Sequence, residues 1–106
     1  MDMNFLEELG LTKSEIKVYL SLLEIGESST GKIVDKAKVS SSKIYEIMDK
    51  LIQKGLVSYI IKSGVKYFES AQPNRLLDYI SEKEKKLEIQ KEKIKKILPE
   101  LELKKK

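Results

Sequence analysis

SSTGKIVDKAKVSSSKIYEIMDKLIQKG, residues 28–55, is the stretch on which the reading of this chain turns. It holds two short helical patterns joined by a tight turn; the second opens on three serines and closes on a glycine. Ser29 is placed to cap the first helix, with Ile33, Val34 and Ala37 packing inward. Ser40 is placed to cap the second by accepting from amide protons that a helix start leaves unpaired. Ile44, Ile47, Met48 and Leu51 recur at helical spacing and make one apolar stripe. Ser42, Glu46, Asp49, Lys50 and Gln53 fall on the opposite face, with Lys43 and Tyr45 on its shoulders. Lys54 adds a cationic last turn and Gly55 a left-handed exit. A short buried helix followed by a helix with a small, polar head is the helix-turn-helix pattern, whose second helix enters a DNA major groove. A plain helical hairpin in an all-α domain accommodates the same residues, so the flanking chain has to decide.

Upstream, Phe5, Leu6 and Leu9 make a short amphipathic lead-in over Met1 to Gly10. Thr12-Lys13-Ser14-Glu15 matches a capping box, and Ile16, Tyr19, Leu20 and Leu23 then repeat at helical spacing. The spacing predicts a helix from Lys13 to about Ile25, stopped by Gly26. Downstream, Leu56–Ile61 is rich in β-branched and aromatic residues, Lys62-Ser63-Gly64 reads as a turn, and Val65–Glu69 is a second strand-like run. Two such runs around Ser-Gly make a β-hairpin. Three helices followed directly by a hairpin is a winged helix, an order that an unrelated helical bundle has no reason to show. The predicted fold class is therefore mainly α with a small β-hairpin: a winged helix-turn-helix, residues 1–72, followed by a long C-terminal helix, residues 73–106.

Pro73 suits a helix start, and no Gly or Pro interrupts the chain again until Pro99. Ile80, Leu87, Ile94 and Leu101 fall seven apart. Their partner positions are Leu76, Lys83, Gln90 and Ile97 counted one way, and Leu77, Glu84, Lys91 and Leu98 the other. The seam is apolar at its ends and polar in its middle. Alone in water such a helix buries too little to persist, so it must lie against its own domain or against the same helix of a second copy. The expectation is a dimerisation coiled coil carried by Leu76, Leu77, Ile80, Leu87, Ile94, Ile97, Leu98 and Leu101, with a basic tail at Lys104-Lys105-Lys106.

Composition narrows the functional classes. The chain has 106 residues, with no Cys and no His. That removes disulfides, thiolate metal sites, the commonest metal ligand and the commonest general base. No metal, cofactor or enzymatic activity is expected. Ser29-Thr30-Gly31-Lys32 lacks the upstream glycine of a phosphate-binding loop. No apolar run reaches the roughly 20 residues of a membrane helix, and no signal-peptide core is present, so a cytoplasmic protein without a membrane partner is expected. Lys, Glu and Ile are abundant, which fits a thermophilic source. Charge is unevenly placed: residues 1–27 hold two lysines against six acids, while residues 28–68 hold eight lysines against three acids. The central segment is the electropositive part, as binding a polyanion requires.

Val39-Ser-Ser-Ser-Lys-Ile-Tyr-Glu-Ile-Met48, with Leu51 and Lys54-Gly-Leu-Val57, resembles the second helix of the helix-turn-helix in the TrmB family of archaeal transcriptional regulators. Leu9-Gly-Leu-Thr-Lys-Ser-Glu-Ile-Lys-Val-Tyr-Leu20 is similar to that family's opening helix, and Pro73 with Leu76-Leu77 to the start of its helix after the wing. The resemblance spans Leu11 to Leu77 and implies an N-terminal winged-helix DNA-binding domain. Two departures carry expectations. Lys38 stands where the turn usually has a glycine, implying a turn of different shape. Three serines stand where many relatives have an arginine, so a guanine-reading side chain is missing. The chain ends before the sugar-binding domain of long members, so the resemblance brings no sugar ligand.

The resulting expectation is a homodimeric regulator reading double-stranded DNA with helix 40–54 in the major groove and the 56–69 wing on the backbone. Ser41, Ser42 and Lys43 would meet phosphate or base edges, and Tyr45 would donate to a phosphate or pack on the helix flank. Glu46 and Lys50 lie deeper along the groove side; a glutamate there either accepts from a cytosine amine or, with Asp49, repels phosphate. Lys62 and Lys66 flank the hairpin turn, and Lys32 and Lys36 would position the first helix of the pair on phosphates. The rival is a winged helix that binds another protein in transcription or chromosome machinery, favoured by the acids on the outward face. The operator, the direction of regulation and any effector are not readable from the residues.

Overall fold

Thr12 and Glu15 close the capping box expected of them. Glu15 N–H donates to Thr12 Oγ1 at 3.1 Å and Thr12 N–H donates back to Glu15 Oε2 at 3.2 Å, heading a helix over Lys13–Ile25 that Gly26 ends at φ 74°. In the computed structural model, which describes residues 3–106, this helix is α2; a short α1 over Met3–Glu8 precedes it. Met1 and Asp2, the head of the expected lead-in, lie outside the described residues. Then come α3 (Thr30–Ala37), α4 (Ile44–Gln53), β1 (Val57–Lys62), β2 (Val65–Ser70) and α5 (Arg75–Lys104). This is a winged helix followed by a long helix.

The core is the inner surface of α2, α3 and α4 closed by the base of the hairpin. Ile16, Val18, Tyr19, Leu22, Ile33, Ile44, Met48, Leu51, Leu56 and Phe68 are all buried. The apolar stripe of α4 is buried as its spacing predicts. That of α2 is rotated: Val18 and Leu22 are buried, whereas Leu20 is half-buried and Leu23 exposed. Burial here follows several packing partners, α1, α3, α4 and β2, not a single face. The Tyr19 hydroxyl is buried with no hydrogen-bond partner among the described residues.

At the end of α4, Gly55 takes φ 77° while Leu56 N–H reaches Leu51 O and Gly55 N–H reaches Ile52 O, an exit that satisfies carbonyls the helix leaves over. The strands pair antiparallel with Tyr59 opposite Phe68 and Lys62 opposite Val65. Ser63 and Gly64 both have positive φ, 49° and 76°, as a tight hairpin turn with right-twisted strands demands. A bridge between Ser28 and Phe68 ties β2 to the start of α3, with N–H···O distances of 2.9 and 2.8 Å.

Three expectations fail locally. Neither serine caps: Ser29 makes no side-chain cap bond, and α4 starts at Ile44, not Ser40. Ser40 Oγ instead accepts from Ser42 N–H at 3.3 Å and bonds Ser42 Oγ at 2.7 Å, while its carbonyl accepts from Lys43 N–H. Short hydroxyl side chains compete with the helix for backbone partners, and here they win. The turn before α4 is not reshaped by Lys38, which simply adopts the left-handed conformation at φ 56°, ψ 49° and donates its N–H to Val34 O. The last helix starts at Arg75, after a turn at Pro73-Asn74, and runs through Pro99 to Lys104.

The chain divides into two compact units, one ending at Leu76 and one from Leu77 onward. The second is a single helix. Over its 30 residues α5 contains no buried side chain. No helix among the described residues is long and apolar enough to cross a membrane.

Candidate nucleic-acid interface

α4 presents its polar face outward. Glu46, Asp49, Lys50 and Gln53 are exposed, while Ile44, Ile47, Met48 and Leu51 anchor the opposite side. Ser41, Ser42 and Lys43, also exposed, form the turn in front of the helix, not its first turn. Glu46 and Lys50 meet at 3.6 Å, an i,i+4 pair that leaves both side chains solvated. Tyr45 is exposed, and its ring stands edge-on to Phe68 at 6.5 Å between centroids. Phe68 in turn lies 5.8 Å from Tyr59, over whose ring Lys66 sits at 4.5 Å. This row of rings fixes the wing against the head of α4 and puts Lys66 on the hairpin face shared with Tyr59 and Phe68.

Lys62 belongs to the other hairpin face. Strand alternation groups it with Ile60, Val65 and Tyr67, and its ammonium lies 5.5 Å from the Tyr67 ring centre and 2.6 Å from Glu27 Oε1. The Glu27 hydrogen bond, with that carboxylate's charge, holds Lys62 above the ordinary lysine value. The two wing lysines, alike in sequence, thus face opposite ways. On α3, Lys32 and Lys36 are both exposed, and Lys36 is paired to Glu24 at 3.0 Å. Lys32, Lys38, Lys43 and Lys66 make no ion pair among the described residues.

Two features of this surface escaped the sequence reading. Lys38 stands exposed in the turn between α3 and α4, beside Ser40–Lys43. Its signal was visible as a lysine at a glycine position, but it counted as an obstacle and not as a cation. The other is Lys54, which caps α4 and forms an ion pair with the buried Glu15 at the start of α2. Burial alone would push the Glu15 carboxyl up; the hydrogen bonds from Lys54 and Thr12 and the Lys54 charge outweigh it and hold the group below the usual carboxylate range. No sequence pattern announces a pair whose members lie 39 residues apart.

On α5 most of the expected dimerisation residues are exposed. Leu77, Leu87, Ile94, Ile97, Leu98 and Leu101 are exposed and Leu76 and Ile80 half-buried, with Leu87 61% and Ile94 53% accessible.

Known proteins share this architecture. TrmBL2, described as an archaeal chromatin protein with a novel mode of DNA binding, superposes with a TM-score of 0.81 at 20% identity, over 92% of this chain and 39% of that one. A MarR-family transcriptional regulator from Silicibacter pomeroyi matches with a TM-score of 0.61 at 17% identity, over 79% of this chain and 62% of its own. At such identities the likeness is one of fold. In sequence, the HTH-type sugar sensing transcriptional regulator TrmBL1 of Pyrococcus furiosus is 30% identical over 77 residues, 73% of this chain. The chain spans only 22% of that relative's length. The family model described as "Sugar-specific transcriptional regulator TrmB" matches residues 6–74, which run from within α1 to just past β2, and on that match the chain belongs to the TrmB family.

Proposed function

We propose that this chain binds double-stranded DNA as a homodimeric, non-enzymatic transcriptional regulator of the cytoplasm. The exposed face of α4 enters the major groove, led by Ser41, Ser42 and Lys43. Tyr45, Lys38 and Lys66 meet the phosphates on either side, with Lys32 behind them. One observation carries the reading: the outward side of α4 is free of the wing, and the cations around its head are without carboxylate partners among the described residues. Contacts of this type set register and affinity, while Glu46 and Lys50 are the side chains within reach of base edges. With lysines and no arginine at the helix head, one protomer discriminates weakly. Two protomers reading half-sites about 34 Å apart would discriminate better, and the apolar seam of α5 supplies the pairing surface.

A salt titration of binding to a random-sequence duplex tests this. Four ammonium–phosphate contacts per protomer give a slope of log affinity against log salt of roughly −3 to −4 per protomer, since each neutralised phosphate contributes about −0.9. Absence of binding at low salt would overturn the reading and favour a protein-binding winged helix, the alternative that Glu46 and Asp49 on the outward face support.

A further inference from the structure

The last turn of α2 and the residues after it carry two glutamates, and each already holds a lysine of the basic central segment. Glu24 takes Lys36 at 3.0 Å and Glu27 takes Lys62 at 2.6 Å. The second pair is built by the backbone. Ser28, the residue after Glu27, exchanges two N–H···O bonds with Phe68, which sets Glu27 beside β2. Continued by one residue, that antiparallel bridge brings Glu27 opposite Glu69, on the hairpin face that carries Lys62. The Lys62 side chain passes the Tyr67 ring on its way to the carboxylate. Around the groove lined by Ile25, Glu27, Ser28, Lys32, Asp35 and Lys36, the ammoniums of Lys32, Lys36 and Lys62 are matched by the carboxylates of Glu24, Glu27 and Asp35. A segment that is strongly basic in sequence is locally neutral there.

We infer that Glu27 is an intramolecular competitor for phosphate: it keeps the Lys62 ammonium on the α2 side of the wing in the free chain and yields it to a DNA phosphate only when the wing is seated. The inference rests on the DNA-binding reading. The Lys62 side chain is 58% accessible and that of Glu27 31%, so the pair stands at the surface with its ammonium in water, and a pair of this kind is weak enough for a phosphate oxygen to displace. The consequence is selectivity. On a duplex where the wing sits loosely, Lys62 stays with Glu27 and contributes nothing; where the protein is fully seated, the exchange completes.

A double-mutant cycle on the full chain, with a random-sequence duplex at low salt, decides it. Glu27→Gln is expected to tighten binding roughly three- to ten-fold and to steepen the salt slope by about 0.9, one phosphate contact. In a Lys62→Met background the same Glu27→Gln change is expected to alter affinity less than about two-fold, because the ammonium it releases is gone. Equal tightening in both backgrounds would mean that Glu27 acts only by its charge near the duplex, and it overturns the inference while leaving DNA binding intact. No tightening with Lys62 present overturns it as well. If the unmodified chain binds no duplex at low salt, the DNA reading fails and the inference with it.

Discussion

Lys38 is the residue whose conformation and chemistry pull in opposite directions. It occupies the left-handed region with its N–H bonded to Val34 O at 2.9 Å, a geometry that costs an L-residue with a side chain roughly 1–2 kcal/mol over glycine. A glycine there frees the unfolded chain, which takes back about 0.4–1 kcal/mol. Lys38→Gly is therefore expected to raise stability by about 0.5–1 kcal/mol, read as a higher urea midpoint at unchanged slope. The same substitution removes an ammonium without an ion pair from the turn beside α4, so duplex affinity should fall and the salt slope should lose about 0.9. Stability up with affinity down is the signature of a strained residue kept for its charge. A variant that binds DNA as before removes Lys38 from the interface.

Between elements, the pair of Lys54 and Glu15 sets how α4 sits on α2, because it joins the last turn of one helix to the first turn of the other. Each charge lies at the helix end whose dipole favours it. Glu15 is 1% exposed, so removing its partner leaves a carboxylate uncompensated in the interior, and Lys54→Met is expected to cost about 3 kcal/mol near neutral pH. The pH dependence has a definite sign. The Glu15 group titrates lower folded than unfolded, so its contribution is present above the unfolded value of about 4.3 and is lost as pH falls through the lower folded value. In Lys54→Met, burial raises the folded value instead, so acidification relieves the variant. Urea midpoints taken from neutral pH downward should show the gap between variant and parent beginning to close already above about pH 4.3, as the raised Glu15 group of the variant takes up its proton, and closing fully as pH falls through the lower folded value of the parent; a gap that stays constant would remove the ion pair as its cause. The contrast with α2 itself shows what sequence makes legible. The capping box, the Gly26 stop and the Ser63-Gly64 turn are encoded within four residues of one another, and each was readable. Ser40 was not, because its hydroxyl has two nearby uses and only packing decides between them. Pro99 does not break the long C-terminal helix: a proline removes a single backbone bond, and the good helix formers around it carry α5 through to Lys104. Of the interface, the identity of the exposed lysines was readable but not which of them carboxylates already hold, since Glu24 and Glu27 reach their partners across the fold.

For the whole molecule, the unsettled balance is that of α5. Its 30 residues would extend about 45 Å, carry an exposed seam at Leu87, Ile94 and Leu101, and include no fully buried side chain. A solitary helix with so polar a middle gains little from propensity, and most helical stability in proteins comes from covering an apolar face. Pairing with a second copy, as proposed, would cover it. The seam, with Lys83 and Gln90 between its leucine and isoleucine steps, is poor enough that the dimer should dissociate on dilution. Leu87 lies at the middle of the seam and outside the winged-helix unit, so Leu87→Glu places like charges in register across the pair without touching the core of residues 11–68. Sedimentation of the parent chain is expected to give a dimer and that of Leu87→Glu a monomer. Ellipticity should fall with the loss of α5 while the thermal transition of the winged helix is unmoved. Affinity for a duplex carrying two half-sites should drop by about a hundredfold or more, because the second half-site is no longer engaged at the effective concentration the linkage provides, whereas affinity for a single half-site should hardly change. A parent chain that sediments as a monomer, or a Leu87→Glu variant equal to it on both duplexes, would leave α5 without the role assigned to it.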